Sequence, residues 1–183
     1  MCHQCQTKPV YEFTNKRKVC GNCFVRYFQK KVFYTIRKFE MIKRGEVVGY
    51  VRGSNFRSIV LEDVLKMLGK KGIEIVQGAK PSQIKISKIA EPTTTDIIAY
   101  KIINEIIQGN SNNLKEFLPV DKKIIKPLCL FLDKEVLLYA KLKKLKFKKV
   151  VEEKSKTSLF IDELEKKHPE VKRAVVNGLL KLH

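Results

Sequence analysis

Four of the five cysteines stand in two pairs, Cys2-x-x-Cys5 and Cys20-x-x-Cys23, with fourteen residues between them. A two-residue gap lets both sulfurs of a pair reach one ion at about 2.3 Å, and two such knuckles facing each other close a four-sulfur tetrahedron. The segment between the pairs must therefore double back. Pro9-Val10-Tyr11-Glu12-Phe13 and Asn15-Lys16-Arg17-Lys18-Val19 read as the two arms of a hairpin. Residues 1–23 are expected to form a zinc ribbon, with Cys2, Cys5, Cys20 and Cys23 holding a structural Zn2+. Spacing alone leaves an iron–sulfur cluster open in place of zinc. Disulfides would suit an oxidising compartment, and the doubled motif without a secretory leader argues against them. Four protein ligands leave no open position, so the ion is scaffold and not catalyst. His3, inside the first knuckle, reads as a bystander, and Cys129, flanked by Leu128, Leu130 and Phe131, as a buried thiol.

Directly after Cys23, Phe24, Phe28, Val32, Ile36 and Phe39 recur at the spacing of one buried helix face. Arg26, Lys30, Lys31, Arg37 and Lys38 fall elsewhere on the same helix, which gives a basic linking segment over 24–44. The whole chain of 183 residues carries a net charge of +19. That excess is localised: residues 1–44 hold eleven bases against two acids, and 137–156 hold eight against two, whereas 91–136 is slightly acidic. Two patches of this kind fit a polyanion better than a uniformly solvated surface does, and each phosphate contact would release counterions. The candidate nucleic-acid contacts are Arg26, Lys30, Lys31, Arg37 and Lys38, with Lys141, Lys143 and Lys144 as a second group. No apolar run reaches the ~18 residues of a membrane span. A soluble, cytoplasmic protein is expected.

From residue 45 onward, strands alternate with helices. Glu46–Val51 reads as a strand, Arg52–Arg57 as a loop, and Ser58 as the cap of a helix bearing Ile59, Val60, Val64, Leu65, Met67 and Leu68. Ile73–Val76 is a second strand, so a parallel crossover closes within about 30 residues. Ile84–Ile89 is a third strand. The run Pro92-Thr93-Thr94-Thr95-Asp96 leads into an isoleucine-rich helix ending at Gly109-Asn110. Ile124–Leu128 is extended, Asp133 caps another helix, and two last helices lie near 158–167 and 169–181, with Pro169 as a first helical residue. The fold class is α/β, with helices packed on a parallel sheet and the ribbon appended at the N-terminus.

A strand, a short loop and a helix start are where α/β proteins seat a phosphate. Here the loop is Gly53-Ser54-Asn55-Phe56-Arg57-Ser58, which resembles a worn PP-loop signature, Ser-Gly-Gly-x-Asp-Ser. In order along the chain, the double CxxC, the basic aromatic helix and this loop resemble the cytosolic tRNA 2-thiolation family of PP-loop proteins. The segment Pro92–Ile97 stands where that family has Gly-His-Asn-x-Asp-Asp. Pro127-Leu128, then Glu135-Val136-Leu137-Leu138-Tyr139-Ala140-Lys141-Leu142, match its Pro-Leu and Glu-Val-x-x-Tyr-Ala-x-Leu. Leu164-Glu165 with Pro169 and Lys172 match its closing pattern. The resemblance spans nearly the whole chain.

The departures fall on the chemistry. Ser54 and Asn55 replace the paired glycines and Arg57 replaces the Asp, a change that cannot preserve magnesium coordination. Thr93, Thr94 and Ile97 replace the later His, Asn and Asp, and the internal cysteines that hold an iron–sulfur cluster in active relatives have no counterparts. The interval from Ser58 to Thr93 is also shorter than in active members. The resemblance thus implies a reduced, degenerate PP-loop domain over 45–156, followed by a helical pair at 157–183. It is similar to the non-catalytic subunit of the family. The expected role is tRNA binding beside an active thiolase paralogue, or as a self-dimer, in forming 2-thiouridine at the wobble position. Two other readings stay open: a divergent nucleotide-binding enzyme in which Gly53, Ser54, Asn55, Arg57 and Ser58 still hold ATP, and a zinc-ribbon nucleic-acid-binding protein unrelated to thiolation.

Overall fold

The computed structural model describes residues 1–78, 85–149 and 155–182. The expected hairpin is present as β1 (Tyr11–Glu12) and β2 (Lys18–Val19), antiparallel with Tyr11 opposite Val19. Its turn is closed by the Lys16 N–H on the Phe13 carbonyl and by the Asn15 side chain, which accepts from the Arg17 N–H. Helix α1 (Gly21–Lys38) starts inside the second knuckle and buries Phe24, Phe28, Val32 and Ile36. It stops well before Gly45. Glu40 takes a left-handed conformation (φ 46°), the Glu40 N–H bonds the Arg37 carbonyl, and the Met41 N–H reaches back to the Ile36 carbonyl. This pair of bonds is a Schellman ending made without glycine. It is held by the complete burial of Met41.

Five strands form the main sheet, in the order β4-β3-β5-β7-β6. Strand β3 (Val47–Tyr50), helix α2 (Phe56–Gly69) and strand β4 (Glu74–Gln77) make the expected parallel crossover, with Val48 beside Ile75. Strand β5 (Lys88–Ala90) pairs parallel to the other edge of β3. It is shorter than the sequence suggests, and Ile84 lies outside the described residues. Helix α3 (Thr95–Ile107) and a 3-10 turn (Ser111–Phe117) lead into β6 (Val120–Asp121) and β7 (Ile124–Ile125). These two form a hairpin whose Lys122 has φ 51°. Strand β7 runs parallel to β5, leaving β6 as an antiparallel edge. Helices α4 (Asp133–Leu142), α5 (Lys156–Lys167) and α6 (Val171–Lys181) complete the chain. The last begins two residues beyond Pro169.

Because β4 and β5 flank β3 on opposite sides, the chain leaves the carboxyl ends of β3 and β5 in diverging directions. This is the switch point at which open α/β sheets place ligands. The loops after β3, β5 and β7 all open onto that edge, just before α2, α3 and α4.

The motif residues of α4 are scaffold. Tyr139 stacks on Phe28 with ring centroids 4.1 Å apart, donates to the Asp63 carboxylate at 2.7 Å and accepts from Gln29 at 3.2 Å, so one side chain ties α4 to α1 and α2. Glu135 is fully buried. It accepts from the Leu132 N–H at 2.9 Å, pairs with Arg173 of α6 at 3.0 Å, and accepts from the Tyr11 hydroxyl of the hairpin. Among the described residues no helix is long and apolar enough to cross a membrane.

Candidate metal centre and phosphate-loop crevice

The hairpin brings Cys2, Cys5, Cys20 and Cys23 together, with all four sulfurs within 4.8 Å of one another. Cys5 Sγ lies 3.3 Å from Cys20 Sγ and 3.7 Å from Cys23 Sγ. A tetrahedron of sulfurs ~2.3 Å from one ion has edges of about 3.8 Å. The cluster can therefore take a metal with little rearrangement. Three of the cysteines are buried and Cys5 is exposed. Their thiols are unlike one another: hydrogen bonding to Thr7 and to its cysteine neighbours draws Cys20 down to about 6, whereas burial and the adjacent thiols push Cys23 up to about 12.

At the switch point, the loop after β3 is closed over the start of α2. Asn55, and not Ser58, is the N-cap: its side chain accepts from the Ser58 N–H at 2.9 Å. Gly53 still serves a close approach, but the atom that approaches is Ser58 Oγ, 2.4 Å from where a Gly53 Cβ would stand. The Ser54 carbonyl is taken by the Lys148 N–H at 2.7 Å, and Phe147 packs edge-on against Phe56. Segment 145–149 thus straps the loop from outside. Arg52 lies 3.6 Å from Glu62.

Arg57 is buried and forks onto Asp133 at the first residue of α4, with Nε donating to Oδ1 at 2.7 Å and Nη2 donating to Oδ2. The Thr94 hydroxyl donates to the same Oδ1 at 2.7 Å, and the Asp133 N–H donates to Asp96 at 2.7 Å. Asp96 in turn meets Lys172, whose side chain is buried and whose amine lies within 2.7 Å of carboxylate oxygens of Asp96, Asp162 and Glu165. Burial, and the Asp133 charge beside it, raise the Asp96 carboxyl above its ordinary value. The starts of α2, α3 and α4 are joined to each other and to α5 and α6 through this chain of charges. The remaining cavity, about 430 Å3, has Arg57, Lys134 and Lys172 facing Asp96, Asp133, Asp162 and Glu165. Such a lining has more acid than base, and a polyphosphate entering it would have to break ion pairs.

Thr94, Asp96, Asp133 and Lys172 did not stand out as a site in the sequence. The signal was the run Thr93-Thr94-Thr95-Asp96, three hydroxyls and an acid at a helix start. Thr95 donates to the Cys129 carbonyl at 2.8 Å, Thr93 lies near Glu91, and all three threonines are buried.

The basic residues separate into two groups. Arg26, Lys30, Arg37 and Lys38 are exposed on α1. Lys31 is not part of that surface: its amine donates to the Leu130 carbonyl at 2.7 Å and lies 4.5 Å over the Phe131 ring, and burial lowers its pKa. The position falls on the side of α1 that faces Leu130 and Phe131, so the charge is spent inside. Lys141 and Lys144 are exposed, and Lys143 leans to within 4.0 Å of Asp63. Leu142 packs against Gly21, which brings this second group to the metal end of α1.

No protein-family model matches the chain, and no curated protein matches it. Among solved structures it is similar to the U34-tRNA thiolase NcsA from Methanococcus maripaludis with its 4Fe-4S cluster. The TM-score is 0.77 at 20% sequence identity, over 99% of this chain and 86% of that one. The likeness is one of fold: the two chains share the α/β architecture. The crevice described above lies at the sheet edge where open α/β sheets place ligands.

An internal iron–sulfur cluster does not fit the residues of this α/β scaffold. With four cysteines gathered at the hairpin, Cys129 is the one thiol left in the sequence. It is fully buried, and burial pushes it up to about 12, away from the thiolate a metal needs.

Proposed function

We propose that this chain is a non-catalytic, tRNA-binding member of the tRNA thiolation family, acting beside an active PP-loop thiolase paralogue in 2-thiouridine formation at the wobble position. The observation that carries the proposal is the crevice: the charges at the place for ATP are already paired with one another in the chain's own Arg57–Asp133–Asp96–Lys172 network. The likeness of fold to a U34-tRNA thiolase supports the choice of pathway. In this reading the four-cysteine centre holds Zn2+. The short sulfur–sulfur distances suit one ion, whereas a four-iron cube would hold its thiolates further apart. Arg26, Lys30, Arg37 and Lys38, with Lys141, Lys143 and Lys144 near the same end of the fold, supply phosphate contacts to the RNA backbone. The residues of the former phosphate loop, Gly53, Ser54, Asn55, Arg57 and Ser58, have become structural.

Affinity purification from native cells, read by RNA sequencing and mass spectrometry, tests the proposal. It is expected to recover tRNA together with a second PP-loop protein. Recovery of neither would refute it, and recovery of tRNA with only this chain would replace the paralogue by a self-dimer.

A further inference from the structure

We propose that the exposed face of α1 is a platform for unpaired RNA nucleotides, with a base stacked on Tyr34 between phosphates held by Arg26, Lys30 and Arg37. The proposal rests on the tRNA reading and adds to it the kind of nucleotide and the residue that receives it.

Positions 26, 30, 34 and 37 are separated by four, four and three residues, and so share one face of the helix over about 16 Å. Tyr34 is 53% exposed in the middle of this row. Its neighbours along the row are cations. The ring stands on a ridge between two grooves that both include Lys30 and Tyr34 in their walls. One, about 440 Å3, runs toward the metal centre and is lined by Arg17, Arg26 and Tyr27. The other, about 670 Å3, runs toward the end of α2 and is lined by Phe33, Arg37 and Lys71. Neither groove is lined by a carboxylate. Among the described residues, none of Arg26, Lys30, Arg37 and Lys71 has an acid within ion-pair distance.

An aromatic ring set among cations, with acids absent, is the arrangement that binds single-stranded nucleic acid, because every base offers a π-face and each phosphate meets a charge. The exposed ring favours RNA over an acidic protein segment. An acidic segment would use the cations and leave Tyr34 idle, whereas a base can stack on it. A duplex keeps its bases stacked on one another and leaves this ring unused.

The chain has no tryptophan, so Tyr34→Trp places the sole indole at the platform. In the metal-loaded full-length protein, its emission is expected to be quenched by an oligouridylate and not by duplex RNA of equal phosphate number. With unlabelled protein, Tyr34→Ala is expected to weaken oligouridylate binding roughly tenfold. Tyr34→Phe, which keeps the ring, is expected to stay within about twofold of the parent protein. Folded tRNA and an oligoglutamate peptide complete the titrations. If folded tRNA binds and Tyr34→Ala leaves oligouridylate affinity unchanged, the platform is wrong and the tRNA reading stands. Quenching by oligoglutamate without quenching by oligouridylate would assign the face to an acidic protein instead. If neither RNA binds, the platform and the tRNA reading fall together.

Discussion

Cys20→Ser is expected to release the bound metal and to unfold the N-terminal hairpin, with the loss of about 4 kcal/mol of stability when free metal stands a thousandfold above its dissociation constant. The strands β1 and β2 are two residues each, too short to persist as an isolated hairpin. What remains to hold them is the Tyr11–Glu135 hydrogen bond and a ring cluster in which Tyr11 lies 5.0 Å from Phe24 and Phe13 lies 4.8 Å from Tyr27. Cys20 is also the N-cap residue of α1, so the loss should spread into the first turn of that helix. Metal analysis of the purified variant, together with its thermal unfolding, checks the expectation. Full metal content with an unchanged midpoint would mean that the four sulfurs are not the ligands.

Lys172→Ala is expected to destabilise the fold by about 3–5 kcal/mol, because it leaves buried carboxylates without their cation. Lys172 is 3% exposed and contacts Asp96, Asp162 and Glu165 at once. Hydrogen bonds to these acids outweigh the effect of burial and raise its pKa above the ordinary lysine value. A group whose pKa is raised on folding stabilises the fold fully below its unfolded value. The Lys172 contribution should therefore be complete at neutral pH and decline only above about 10.4. Asp96 is likewise raised, and for an acid this means that its ionisation opposes folding as pH rises through its folded value. Without the Lys172 charge that opposition grows, so the variant should be less impaired at pH 5 than at pH 8 in denaturant titrations. Equal loss at both pH values would place the damage in packing and not in charge.

The sequence made the parallel crossover and the metal hairpin legible because each rests on local spacing: two CxxC pairs, and apolar residues that recur with the helix period. The ion-paired crevice was not legible, because its bonds join residues far apart in the chain. Arg57 and Asp133 are 76 positions apart, and so are Asp96 and Lys172. Reading Arg57 as a lost acid was sufficient to doubt magnesium binding. Nothing local indicates that the same guanidinium would find a partner at the start of α4. Lys31 shows the same gap. A lysine between Lys30 and Val32 on a basic helix resembles its neighbours, and its burial depends on Leu130 and Phe131, a hundred residues away. Tyr34 is the converse, an aromatic in a run of core aromatics that turns outward because its position falls off the Phe24–Phe28–Val32 stripe. The early end of α1 was hidden for a related reason, since Glu40 takes a conformation usually given to glycine.

Calorimetric titration of the metal-loaded protein with ATP and AMP, with and without magnesium, shows whether the crevice beyond β3 and β5 holds a nucleotide. No binding heat is expected up to millimolar nucleotide, since Arg57, Asp96, Asp133 and Lys172 already satisfy one another. Saturable binding of ATP near the micromolar range, lost in Arg57→Ala, would contradict this expectation and restore a nucleotide site.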